Sequence, residues 1–149
     1  MPHPNTKSQN RYPDHPRVAV GAFVFKDDKI LLVRRAKAPS EDLWAIPGGK
    51  VKVGESLKKA AEREIKEETG ITIRARDPIF TFDHIETDGN NRIRFHYVIV
   101  DLSADYVSGQ PRPGDDAREA RWISSAQLKS LNVSKKTLEV LAQLFNFGI

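Results

Sequence analysis

One helical stretch set between two pairs of strand-like runs constrains this 149-residue chain more than any other feature. Residues 57–69, LKKAAEREIKEET, contain no Gly or Pro, follow Ser56 and precede Gly70. A serine that accepts from first-turn amides and a glycine suited to the C′ position mark the two ends of a helix. Before it, RVAVGAFVF (17–25) and KILLVRR (29–35) flank the polar KDD and read as an antiparallel hairpin. After it, ITIRARDPIFTFDHIET (71–87) and NRIRFHYVIVDLSA (starting at Asn91) lie on either side of a DGNN turn. EARWIS (119–124) is a further short strand. SAQLKSL (125–131) and SKKTLEVLAQLF (134–145) are helices, the second carrying Leu138, Leu141, Leu144 and Phe145 on one face. This order predicts an α/β protein, a mixed sheet with helices packed on it. Its length suits one domain. Four prolines (Pro2, Pro4, Pro13, Pro16) and one large apolar residue, Tyr12, make residues 1–16 a flexible arm, with the domain over 17–149.

The helix carries a conflict. Taking Leu57 as zero and turning about 100° per residue, Ala61 falls near 40°, Ile65 near 80° and Ala60 near 300°. Lys58, Glu62, Lys66 and Lys59 spread over roughly 100° to 200°, a solvated face with Lys58–Glu62 and Glu62–Lys66 pairs. Glu64, Glu68 and Glu67 land near 340°, 20° and 280°, on the apolar side. Unpaired buried charge is costly, and Arg63 is a single cation among three acids. An anionic, oxygen-only cluster suits hard divalent ions, Mg²⁺ or Mn²⁺.

Gly49, Glu55, Arg63, Glu64, Ile65, Glu67, Glu68, Gly70 and Ile71 fill every fixed position of G-x5-E-x7-R-E-U-x-E-E-x-G-U, with U apolar. The chain thus resembles the Nudix hydrolase family, in layout from Arg17 to Phe147. The resemblance implies a Nudix fold, an α/β/α sandwich around a mixed sheet, and hydrolysis of a nucleoside diphosphate linked to another moiety X. By position it implies Glu67 and Glu68 as main metal ligands, with Glu64 a further ligand or a base for the attacking water. It also implies the Gly48 carbonyl as a ligand, Arg63 orienting the glutamates, and Glu55 pairing with Arg63 or reaching a second metal through water. A homodimer is a reasonable expectation from the same resemblance.

X is set outside the motif. The proline that one group of ADP-ribose pyrophosphatases carries about fifteen residues after the motif is missing from His84–Asp88, and no S-Q-P-W-P-F-P run follows. FHYVIVD followed by PGDDAREARWIS resembles relatives usually labelled ADP-ribose pyrophosphatases. Asp115, Asp116 and Glu119 are candidates for the downstream carboxylate that the resemblance implies as a base or extra ligand, Glu119 favoured as nearest the strand that would aim it inward. Arg34, Arg35, Arg92 and Arg94 are candidate phosphate or ribose contacts. Phe82, Trp44 and Trp122 are candidates to stack on a base, the tryptophans more simply structural. His84 and His96 read as structural. The expected reaction is ADP-ribose to AMP and ribose 5-phosphate. The alternatives are a MutT-like nucleoside-triphosphate pyrophosphatase releasing pyrophosphate, or an inactive nucleotide-sensing domain, against which the intact glutamates argue.

Composition removes other classes. No run of about 18 apolar residues predicts a membrane span, and the N-terminus lacks the apolar segment of a secretory signal. With no cysteine, thiolate catalysis and zinc–thiolate sites are excluded, and a reducing cytoplasm fits. The net charge of +4 is dispersed among acids, which favours a small nucleotide as partner over a nucleic acid.

Overall fold

The computed structural model describes residues 11–114 and 116–149. The strands are β1 (Arg17–Lys26), β2 (Lys29–Arg35), β3 (Trp44–Ala45), β4 (Gly48–Lys50), β5 (Thr72–Thr87), β6 (Ile93–Ser108) and β7 (Ala117–Ser124). The helices are α1 (Leu57–Thr69), α2 (Ser125–Leu128) and α3 (Lys135–Phe145). Among the described residues the strands form one mixed sheet, ordered β3-β2-β1-β6-β5, with β4 on β1 and β7 on β2. Residues 1–10 of the expected arm, and Asp115, lie outside the described residues.

The first hairpin forms at its closed end only. Asp27 and Asp28 both have positive φ, 51° and 61°, as a tight two-residue turn requires. The pairing of β1 with β2 is confined to Phe25↔Ile30 and Lys26↔Lys29. The strands then part. β1 runs parallel to β6 from Arg17↔Tyr97 to Phe25↔Asp105, while β2 follows β7. Into the parting comes β4, pairing Ala19, Val20 and Gly21 with Lys50, Gly49 and Gly48.

Strand alternation divides the sheet into two apolar faces. Val20, Ala22, Val24 and Leu31 pack under α1 with Ala60, Ala61 and Ile65. Phe23, Ile30, Leu32 and Ile123 pack under α3 with Val140 and Leu141. The rotation of α3 differs from the expected stripe: Leu138 and Leu144 are 38% and 48% exposed, and Thr137 and Val140 join Leu141 in the buried face. The bridge Trp44↔Val133 and the Ser134 cap hold the helix start against β3 and so fix its rotation. SAQLKSL is helical only over Ser125–Leu128, opened by a Ser124–Gln127 capping box. Both tryptophans take structural positions. Trp44 is buried beneath the Arg121 guanidinium, and Trp122 meets Tyr106 edge-on. The described end of the arm is fastened down: Tyr12 donates its amide to Arg94 O and its hydroxyl to Asp88, both at 2.8 Å.

Candidate active site

Helix α1 has the predicted bounds. Ser56 Oγ accepts from Lys59 N at 3.1 Å, and Gly70, at φ 77°, donates to Lys66 O. Its outer face differs from the wheel. Glu62 pairs with neither lysine; it accepts from Ala75 N at 3.0 Å. The β5–β6 register breaks just after Ala75, and Glu62 takes up an amide at the edge of that irregularity. Lys58 turns to Asp77 at 3.4 Å, and Lys66 to Thr72 Oγ1 at 3.1 Å.

The other glutamates divide by environment. Glu68 is 5% exposed, and burial pushes its carboxyl up to about 8, opposed by the charge of Arg35 and by the Gly48 amide, which donates to it at 3.3 Å. Burial also raises Glu64, which is held by Arg63 Nη1 at 2.7 Å. Glu67, placed inward by the wheel, has its side chain 51% exposed at the cleft rim, 3.2 Å from the same Arg63 nitrogen. The helix ends nearby, so solvent reaches a position that would be covered in mid-helix. Arg63 is fixed by Glu55 through two hydrogen bonds, 2.7 and 2.8 Å, and by the Lys50 carbonyl at 3.0 Å. The Arg63 contact holds Glu55 down at about 2. A side chain at Gly49 would put its Cβ 2.2 Å from Glu64 Oε2, so glycine is what lets β4 lie against the helix.

A fourth carboxylate joins these. The segment after β6 folds over the C-terminal end of α1, where helix carbonyls have no helical partner. Arg112 N donates to Thr69 O at 2.9 Å and Gly114 N to Glu68 O at 2.7 Å. Asp116 follows, anchored by Ala36 N and by Lys37 Nζ at 2.8 Å. Glu64, Glu67, Glu68 and Asp116 line one pocket of about 70 Å³.

Several expected site residues lie elsewhere. Glu119, the favoured downstream acid, is paired with Arg34 at 3.3 Å and with Arg121, whose guanidinium lowers its pKa. Alternation explains this: Glu119 shares parity with Arg121 and Ile123, which face the α3 side, away from α1. Arg34 reaches Asp42 and Glu119 on that same side. The Arg92 guanidinium lies over the Tyr12 ring at 4.2 Å, and Arg94 meets the arm through its backbone, its carbonyl accepting from Tyr12 N. Phe82 packs with Phe80, ring centroids 5.8 Å apart, beneath Lys136, also on the α3 side. Of the four arginines, Arg35 alone is felt by Glu68. The PRPGDD sequence was the signal for Asp116; what it lacks is any mark that the loop closes on the helix.

The donor set fits a hard divalent cation: four carboxylates, two of them in surroundings that disfavour negative charge. Among the described residues no three acidic or histidine side chains already converge on one point. Arg63 holds Glu64 and Glu67 in the position a cation would contest.

The NUDIX domain family model matches residues 15–144. An ADP-ribose pyrophosphatase of Methanocaldococcus jannaschii is 36% identical over 117 residues, 78% of this chain and 67% of that protein. The crystal structure of a MutT NUDIX hydrolase from Burkholderia pseudomallei superposes with a TM-score of 0.74 at 34% identity, covering 88% of this chain and 99% of that one. A bifunctional NMN adenylyltransferase/ADP ribose pyrophosphatase from Francisella tularensis, complexed with AMP and a Mn ion, superposes at 0.67 and 28% identity, covering 89% of this chain and 42% of that one. With the filled motif, the four-carboxylate pocket and the mixed sheet flanked by helices, these matches show that the chain belongs to the Nudix hydrolase family.

Proposed function

We propose that the protein is a Mg²⁺-dependent pyrophosphohydrolase that converts ADP-ribose to AMP and ribose 5-phosphate. The observation that carries the hydrolytic chemistry is the pocket shared by Glu64, Glu67, Glu68 and Asp116. The choice of ADP-ribose rests on the similarity to the M. jannaschii protein. In the reaction a water oxygen attacks one phosphorus of the diphosphate, the bridging P–O bond breaks, and the proton released by water passes to a carboxylate. Divalent ions bound here would neutralise the diphosphate and acidify water. The chain's own part is positional. Glu55 braces Arg63, and Arg63 holds Glu64 and Glu67. Glu68, whose pKa burial raises to about 8, would hold a bound cation as a carboxylate and release its proton on binding it. Arg35, whose charge Glu68 feels, meets a phosphate oxygen of the bound diphosphate in this reading. Asp116 takes the role expected of Glu119, receiving the proton of the attacking water.

The test is a substrate panel with Mg²⁺ and with Mn²⁺: ADP-ribose, other nucleoside diphosphate sugars, and dNTPs including oxidised ones. Formation of AMP from ADP-ribose with little triphosphate turnover supports the reading. Pyrophosphate release from a triphosphate replaces it with the MutT-like reading, which the similarity to the B. pseudomallei protein favours. Asp116→Asn is expected to lower kcat by about 10²-fold or more, and Glu119→Gln to leave it within about threefold. The reverse pattern would return the proton-accepting role to Glu119.

A further inference from the structure

Asp101 lies outside the glutamate pocket and has no partner among the described residues. It is 3% exposed, and no hydrogen bond or ion pair reaches its side chain from any described residue. Burial alone pushes its carboxyl up to about 7. A buried polar group without a partner costs folding energy, and such groups are rare enough that each calls for a reason. Of the other buried polar residues, Thr69 bonds Ile65 and Ile71, Thr137 bonds Ser134, and Glu68 belongs to the pocket described above; on the strand next to Asp101, His84 Nε2 is a further buried atom with no partner among the described residues.

The surroundings supply a reason. On β6, Asp101 stands opposite Gly21 of β1 and Phe80 of β5. Alternation puts Ile99 and Tyr97 on the same face, opposite Phe82 and His84 on one side and Ala19 on the other. Phe82, Ile99 and Tyr97 are half-buried, so this strip of sheet is only partly covered. A Cβ on Gly21 would lie 2.7 Å from Asp101 Oδ1, so the glycine leaves that oxygen its space. The strip lies on the α3 face of the sheet, with Phe23 and Phe82, and the glutamates come from α1 on the other face, so the two are linked across the sheet at β1 and its edge partner β4. Gly21 pairs with Asp101 on one side and with Gly48, the donor to Glu68, on the other. Two strand spacings, about 10 Å, separate the backbone at Asp101 from that at Gly48. That span is comparable with the reach from the base edge to the phosphates of an extended nucleotide.

We propose that Asp101 is the base-recognising residue of this enzyme: it accepts a hydrogen bond from the exocyclic amine of an adenine seated on the strip of Phe82, Ile99 and Tyr97. This deepens the ADP-ribose reading and rests on it for the identity of the nucleotide. A lone carboxyl oxygen at an apolar, aromatic-sided strip provides the few polar points that fix a flat ligand's orientation. A base lacking the amine leaves the carboxyl unpaired on binding, which is how a buried acceptor selects. Asp101 touches the base and not the reacting atoms, so its loss weakens binding and leaves the bond-breaking groups in place.

The experiment measures binding by calorimetry, with Mg²⁺, of AMP and of purine riboside 5′-monophosphate, which differs only in lacking the amine. The full chain is expected to bind AMP about tenfold or more tightly than the analogue. Asp101→Leu is expected to bring the two within about threefold of each other by weakening AMP, and Asp101→Asn, which keeps an acceptor oxygen, to restore much of the preference. Asp101→Leu removes an uncompensated buried acid, so it is expected to fold, and a thermal melt of each variant verifies that. Equal binding of the two nucleotides by the wild type, an unchanged ratio in Asp101→Leu, or no measurable AMP binding overturns the assignment. Because neither ligand is hydrolysed, the outcome is separate from the substrate panel. Equal binding of the two nucleotides by the wild type with ADP-ribose still cleaved removes Asp101 alone, whereas a wild-type preference for AMP that Asp101→Leu abolishes, with ADP-ribose uncleaved, removes the substrate reading alone.

Discussion

Glu68 shows how one residue can be set against folding and toward ligand binding. With its folded pKa near 8 against an ordinary 4.5, the folded protein binds a proton that the unfolded chain has released. Between those values the folded state holds more protons, so metal-free stability falls as pH rises and flattens above about 8. Glu68→Gln is therefore expected to raise the metal-free melting temperature at pH 9, by an amount equivalent to roughly 1–4 kcal/mol, and to change it little at pH 5. Thermal melts in EDTA at the two pH values check this, and equal effects at both would remove the burial argument. Single residues were legible in the sequence where spacing alone decided the matter. Glu64 and Glu68 share a helix face whatever surrounds them. Glu62 was misplaced because its partner, the Ala75 amide, is available only beside an irregularity in β5; Pro78 marks that irregularity in the sequence, but not which side chain would take up the freed amide.

At the scale of elements, the outcome turned on contacts between segments. Helix α1 was readable because its cap, its length and its stop are all local. That Asp116 and not Glu119 lines the glutamate pocket was not, since it depends on the segment after β6 closing on the helix's free carbonyls. Proximity to a strand pointed to Glu119, while the parity of that strand turns it away. Gly114 is where the closure is tightest: a Cβ there would lie 1.8 Å from the Glu67 carbonyl oxygen. Gly114→Ala is expected to lift the segment, drawing Asp116 out of the pocket. The expected result is a loss of about tenfold or more in kcat with a fall of about 3–8 °C in Tm. A Tm loss with unchanged kcat would show that Asp116 does not act on the reaction.

At the scale of the whole molecule, the α/β class and the single mixed sheet followed from the order of strand-like and helical runs. The parting of β1 from β2 did not, because a hairpin signal says how two strands begin together and nothing about where each finds its later partners. Among the described residues no helix is long and apolar enough to cross a membrane. A cation that binds the folded carboxylates and not the unfolded chain stabilises the entire fold by mass action. Mg²⁺ at about a hundred times its Kd is expected to raise Tm by about 5–10 °C, reversed by EDTA and absent in Glu64→Gln combined with Glu68→Gln. An unshifted wild-type melt would contradict a metal site here.

The two-residue turn at Asp27 and Asp28 has a mechanical consequence. The strands it joins are paired for only two positions and then diverge, so the turn is the fulcrum of a lever. Arg35 stands six residues along one arm, about 20 Å from the fulcrum. A change of 5° in the angle between the arms moves that end by nearly 2 Å relative to β1, more than a hydrogen bond to a phosphate tolerates. With Arg35 meeting a phosphate as proposed, substitutions at a solvent-facing turn far from the chemistry are expected to register as changes in substrate affinity, and a screen confined to the pocket's own residues would miss them.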